Sequence, residues 1–182
     1  MSAPNRQELM TADEFLEMTD ETNLKQELID GVIINSQAAP DERHHDIALA
    51  LVFKLSEFIK KKGGNCKPFI APFDVVLDEH QVVQPDVFVV CDPSKRDGKR
   101  INGAPDMTVE IVSSNIRDDM NRKLLLYRKY GVREYWIIDP IHNTTFVYKF
   151  SEGDVYAVYE FDEPIPVGIF GGELEINISE LI

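Results

Sequence analysis

The segment that most constrains the fold runs from residue 106 to residue 139. It opens with D-M-T-V-E-I-V, a strand-sized apolar run over 106–112. It continues with D-D-M-N-R-K-L-L-L-Y-R-K-Y over 118–130, where Met120, Leu124 and Tyr127 recur at helical spacing and Gly131 provides a stop. It closes with E-Y-W-I-I-D over 134–139, a second strand ended by Pro140. Strand, helix and strand in direct succession ask for a helical crossover between strands of one sheet, and hence for a mixed α/β architecture.

The flanking sequence fits that frame. Thr11 and Glu14 have the spacing of a capping box before a helix over 11–19. Residues 25–35, K-Q-E-L-I-D-G-V-I-I-N, place Asp30-Gly31 between two apolar segments, a hairpin signal. Residues 43–62 read as a long amphipathic helix, with Ile47, Leu51, Leu55, Phe58 and Ile59 on one stripe and Gly63-Gly64 at its end. Two strands are expected at 70–77 and 82–90, and short strands near 144–150 and 155–161 read as an antiparallel C-terminal extension.

A chain of 182 residues suggests one domain, 1–182, with a sizeable core. Hydrophobic residues at 43% and charged residues at 28% are the balance of a globular protein. The apolar runs are too short to span a bilayer, and M-S-A-P-N-R-Q-E-L-M has no apolar signal core. Cys66 and Cys91 lack the number of a disulfide framework and the spacing of a zinc site, so a reduced, cytoplasmic protein is expected.

The formal charge of −13 argues against nucleic acid as a partner, because phosphate binding is driven by Lys and Arg. The charge is uneven, however. K-K-K-G-G-N-C-K (60–67) carries four positive charges, and P-S-K-R-D-G-K-R (93–100) carries four positive and one negative. These are either solvated loops or a basic rim beside a site.

Two apolar strands carry an acid that the pattern does not explain: Asp86 in Q-P-D-V-F-V-V and Glu110 in T-V-E-I-V. Consecutive strands are expected to be neighbours, so the carboxylates either converge, at a cost that a hard cation such as Mg²⁺ relieves, or lie solvated at strand ends. Lys123 lies on the shoulder of the following helix; it either snorkels, pairs with Asp119, or projects beside the acids. Glu27 sits before the Asp30-Gly31 turn as an edge-strand acid, and His44 and His45 open the long helix without the spacing of a zinc pair.

E-L-I-D-G, a histidine opening a helix, Q-P-D, V-E-I-V-S-S, and D-M-N-R-K-L-L-L-Y-R-K-Y-G-V-R-E-Y-W-I-I-D-P together resemble the Uma2 family, from about Thr11 to Tyr148. That family is often labelled putative restriction endonuclease and belongs to the PD-(D/E)XK nuclease superfamily. The resemblance implies a restriction-endonuclease-like mixed sheet core flanked by helices, and a metal-dependent endonuclease acting on DNA. It implies that Asp86, Glu110 and Glu27 hold Mg²⁺ or Mn²⁺, with the backbone carbonyl of Ile111 as a further ligand. The superfamily's usual lysine stands two residues after the second acid, where this chain has Val112; the Uma2 arrangement takes the lysine from the next helix, which is Lys123. His44 matches the family's helix-opening histidine. Lys95, Arg96, Lys99 and Arg100 are expected to border the cleft and hold nucleic acid, and a homodimer is expected by analogy. The rivals are a non-catalytic binding or assembly module on a nuclease fold, favoured by the chain's acidity, and a hydrolase of another phosphate ester.

Overall fold

A computed structural model describes residues 9–19, 26–35, 41–112, 117–153 and 155–182, with the backbone alone described over 117–119. Helix α1 (Ala12–Thr19) is capped reciprocally: the Thr11 N–H donates to Glu14 Oε2 at 2.8 Å and the Glu14 N–H donates to Thr11 Oγ1 at 3.3 Å. Strands β1 (Gln26–Ile29) and β2 (Val32–Asn35) form the expected hairpin. Asp30 and Gly31 both have positive φ, 52° and 71°, as a tight two-residue turn between twisted strands requires. Helix α2 (Glu42–Lys62) is capped by Asp41, whose side chain accepts from the His44 N–H, and ends at Gly63.

The remaining strands are β3 (Lys67–Ile70), β4 (Val75–Asp78), β5 (Gln81–Val83), β6 (Val87–Val90), β7 (Ile101–Asn102) and β8 (Met107–Ile111). Helix α3 (Arg117–Lys129) follows, then β9 (Glu134–Asp139), β10 (Thr144–Lys149), β11 (Val155–Glu160), β12 (Ile165–Pro166) and β13 (Glu175–Ile176). They form one sheet ordered β2-β1-β5-β4-β7, a second ordered β11-β10-β9-β8-β6-β3, and the pair β12-β13. β8 and β9 are parallel and joined through α3, while β9, β10 and β11 extend the second sheet antiparallel.

Two expected strands are each divided in two. The run 70–77 meets β3 only at Ile70 and otherwise forms β4, while the run 82–90 splits into β5 and β6; in each case the two strands lie in different sheets. The breaks fall at Pro72 and Pro85, which lack the N–H that a central ladder needs. The cysteines also depart from expectation. β3 and β6 pair with Lys67 opposite Val90, so one step further Cys66 meets Cys91, and the two form a disulfide. The pairing was invisible in the sequence because it depends on strand register. Among the described residues no helix is long and apolar enough to cross a membrane.

The second sheet is covered on both faces. Ile47, Leu51 and Leu55 of α2 pack with Val87, Val89, Val109, Ile111 and Trp136. Leu126 and Tyr127 of α3 pack with Phe88, Val90, Val112, Tyr135 and Ile137. Successive residues of β6, β8 and β9 therefore go to opposite cores, which is why these strands read as continuous apolar runs. Each fully buried Leu, Ile or Val contributes about 1.5–3 kcal/mol. An acid inside such a strand has to be held by something other than water.

Candidate active site

The chain passes from the first sheet to the second at Gln84-Pro85-Asp86, and the unusual acids gather there. Val87 lies opposite Val109 in the antiparallel pair, so Asp86, one step before β6, falls opposite Glu110 of β8. The Ile111 N–H donates to Asp86 Oδ2 at 2.9 Å and ties that carboxylate to β8. Glu27 comes from β1 of the other sheet, and the Gln84 N–H donates to its Oε1 at 2.9 Å. Asp86, Glu110 and Glu27 are 6%, 7% and 6% exposed, so none is a solvated strand-end acid.

Lys123 does not snorkel. It is 4% exposed, and its Nζ lies 3.0 Å from Glu27 Oε1 and 3.0 Å from Glu110 Oε1. It thus clamps a carboxylate from each sheet. Val112, at the position where lysine is usual, is buried against α3 on the same face of β8, and the helix supplies the ammonium instead. Asp119, the other candidate partner, lies outside the residues whose side chains are described.

Two participants were not assigned a role from the sequence. Tyr127, one turn after Lys123, donates its hydroxyl to Glu110 Oε1 at 2.7 Å. Burial, and then the negative charges of Glu110 and Glu27, hold its phenol well above the usual tyrosine range, so it stays a proton donor. Its place on the apolar stripe hid this, although a fully buried tyrosine generally has a partner for its hydroxyl. His44 Nε2 lies 3.1 Å from Asp86 Oδ2, so the first turn of α2 reaches the acid from the opposite face of the sheet.

The donor set suits a hard divalent cation. Two buried carboxylates, Glu27 and Glu110, share the Lys123 ammonium, and a third, Asp86, falls opposite Glu110, so acids outnumber lysines three to one. Among the described residues, two buried polar atoms in this neighbourhood, Gln84 Oε1 and His44 Nδ1, have no hydrogen-bond partner. Among the described residues no three His, Cys, Asp or Glu side chains are grouped so that they alone could hold a metal ion. Mg²⁺ needs none: it takes one or two carboxylates and fills its shell with water and phosphate oxygens.

Lys95, Arg96, Lys99 and Arg100 do not border these acids. Their loop leaves β6 beyond Cys91, roughly 17 Å along the strand from Asp86. It ends at Ile101, which pairs with Val75 while Val75 pairs with Val83. Ile101 therefore lies three strands from Glu27, roughly 14 Å across the sheet. Lys95 donates to the Ala104 carbonyl at 2.7 Å, and the Arg96 guanidinium donates to the Asn65 carbonyl.

The family model described as Uma2, putative restriction endonuclease, matches residues 12–179. The chain belongs to the Uma2 family. A crystal structure of a putative nuclease of DUF820 from Anabaena variabilis ATCC 29413 is similar to this Uma2 chain, with a TM-score of 0.78 and 28% identity over 94% of this chain and 97% of that one. The mixed α/β, nuclease-like fold is thus shared. A comparison with curated proteins finds no match.

Proposed function

We propose that this Uma2 protein is a metal-dependent nuclease that hydrolyses phosphodiester bonds of nucleic acid, with DNA as substrate. The observation that carries the reading is the juxtaposition of Asp86 and Glu110 across two strands, with Lys123 buried against Glu110 and Glu27. Asp86, Glu110, Glu27 and the Ile111 carbonyl would hold Mg²⁺ or Mn²⁺. When bound, the ion supplies Lewis-acid polarisation of the scissile phosphate and a lowered pKa for coordinated water. Lys123 keeps its proton at Nζ, orients the attacking water and offsets charge developing on the phosphate. Tyr127 and the Ile111 N–H fix the carboxylates of Glu110 and Asp86 so that little reorganisation is left for the reaction. A homodimer would present two such sites to the two strands of a duplex.

The test is cleavage of plasmid and oligonucleotide DNA by purified protein with Mg²⁺ or Mn²⁺. Asp86→Ala and Glu110→Ala are expected to abolish cleavage while circular dichroism still reports the fold. Undiminished cleavage by either variant would overturn the assignment. The second reading, a binding or assembly module, draws on the net charge of −13. Calorimetric titration separates the two. Mn²⁺ binding that Glu110→Ala removes supports the nuclease, and no binding by the wild type supports the module.

A further inference from the structure

Outside the acid cluster, the two basic segments form a ridge on an otherwise acidic chain. They are distant in sequence, but the Cys66–Cys91 disulfide and the Arg96–Asn65 hydrogen bond make them one surface. Lys60 and Lys61 are exposed in the last turn of α2, Lys67 is exposed at the start of β3, and Lys99 is exposed at the loop tip. The helix dipole favours lysines at the end of α2, yet it gives no reason for Lys67 and Lys99 to stand beside them. Together the two segments sum to +7, which leaves −20 for the rest of the chain. The loop's internal acid is committed to the backbone: Asp97 Oδ1 accepts from the N–H groups of Lys99 and Arg100, both at 2.8 Å. Lys95 and Arg96 brace the loop beside Asp92, Lys62 is paired with Glu173, and Lys67 lies over the Phe69 ring, which leaves Lys60, Lys61 and Lys99 as the exposed lysines with no acid drawn against them among the described ion pairs.

Position gives the ridge its meaning. His44, against Asp86, opens α2, and Lys60 and Lys61 close it about 25 Å further along the axis. The basic loop ends at Ile101, roughly 14 Å across the sheet from Glu27, with Lys99 two residues before it. A mononucleotide cannot touch both places, whereas a nucleic-acid strand repeats its charge about every 3.4 Å. We infer that this ridge anchors the phosphates of duplex DNA about four to eight base pairs from the bond that the acid site cleaves. The inference rests on the nuclease reading of the acids and adds a minimum substrate length to it. The acidic remainder repels the polymer and leaves the ridge as the place where it docks.

The probes are fluorescein-labelled DNA of two lengths, a duplex of about 20 base pairs and a hairpin-capped stem of about five, followed by anisotropy in EDTA so that no cleavage occurs. The wild type is expected to bind the long duplex at least about tenfold more tightly than the short stem. The variant K60E/K61E/K67E/K99E is expected to lose that advantage and to show a shallower salt dependence. A matching set of Lys→Gln changes gives the same direction should the reversed charges impair folding. Unaltered affinity and salt slope in both sets, or no binding of the long duplex by the wild type, would overturn the inference. Hydrolysis of bis(p-nitrophenyl) phosphate with Mn²⁺ reads the acid site separately, because this small diester cannot reach the ridge. Absence of length-dependent binding by the wild type, with its diester hydrolysis intact, sinks the ridge alone. Length-dependent binding without diester hydrolysis sinks the nuclease reading and leaves the ridge in place.

Discussion

Two glutamates on neighbouring strands are both buried and are held in opposite ways. Glu110 on β8 is met by the Lys123 ammonium and the Tyr127 hydroxyl, beside two further acids at the junction of the sheets. Glu134 on β9 is 1% exposed and is met by neutral donors: the indole N–H of Trp136 at 2.7 Å and the backbone N–H of Ile169 at 2.8 Å. Burial pushes the Glu134 carboxyl above the usual glutamate range, against the pull of those hydrogen bonds and of Lys149. The contrast separates two uses of a buried acid. Glu134 staples the segment around Gly168–Phe170 to the sheet, whereas Glu110 belongs to a charged cluster whose excess negative charge a cation would relieve.

The sharpest way to break this contrast is to remove the ammonium. Lys123→Met leaves Glu110 and Glu27 buried without their shared cation, and such a loss costs about 3–5 kcal/mol. Urea denaturation should show that drop, and cleavage should fall by about 100-fold or more for the protein that remains folded. Metal affinity should rise relative to stability, since the carboxylates no longer have a competing cation. A variant as stable and as active as the wild type would place Lys123 outside both roles.

Glu134→Ala is expected to act on stability alone. The loss of a hydrogen-bonded buried group should cost about 1–3 kcal/mol in a urea melt, with cleavage per folded molecule unchanged. The wild type should also lose stability as pH rises. The folded carboxyl binds its proton more tightly than the unfolded one, so folding is favoured most below the ordinary glutamate pKa. That advantage is lost as pH climbs through the raised folded value. Glu134→Gln should flatten this part of the urea-midpoint profile, and an identical slope in the two proteins would remove Glu134 as its source.

The same contrast shows what the sequence could carry. Glu110 and Glu134 both stand in apolar strands; Glu110 breaks the pattern because it lies between Val109 and Ile111, whereas Glu134 opens its strand and reads as an ordinary strand-end acid. Local signals served well: the Asp30-Gly31 turn, the Thr11–Glu14 cap, and the periodicity of α2 and α3 all correspond to elements found. Non-local facts were not legible. Whether 82–90 is one strand or two depends on which sheet receives each half, although Pro85 was a signal for the break. The Cys66–Cys91 bond required the β3/β6 register, and the contact between His44 and Asp86 required knowing which end of α2 overhangs the sheet. Glu27 entered the site through the family resemblance; it reads as an edge-strand acid, but β1 lies between β2 and β5, and nothing in its four residues says that a lysine from α3 will reach it.

Tyr127 gives the finest division between the two glutamates, because it is the only neutral donor to Glu110 among the hydrogen bonds described, whereas Glu134 has only neutral donors. Tyr127→Phe keeps the ring packed against Tyr135 and removes one hydroxyl, so the cost to stability should be about 1–2 kcal/mol. A structural brace would show that loss and nothing more. If Tyr127 orients Glu110, its loss should in addition weaken Mn²⁺ binding by several-fold in calorimetry, because the hydroxyl no longer fixes Glu110 Oε1. Its kcat should fall more than its KM rises, since the lysines proposed to hold the substrate's phosphates lie away from this hydroxyl. Unchanged Mn²⁺ affinity together with the stability loss would assign Tyr127 to the core, and Glu110 would then be held, like a simple buried ion pair, by Lys123.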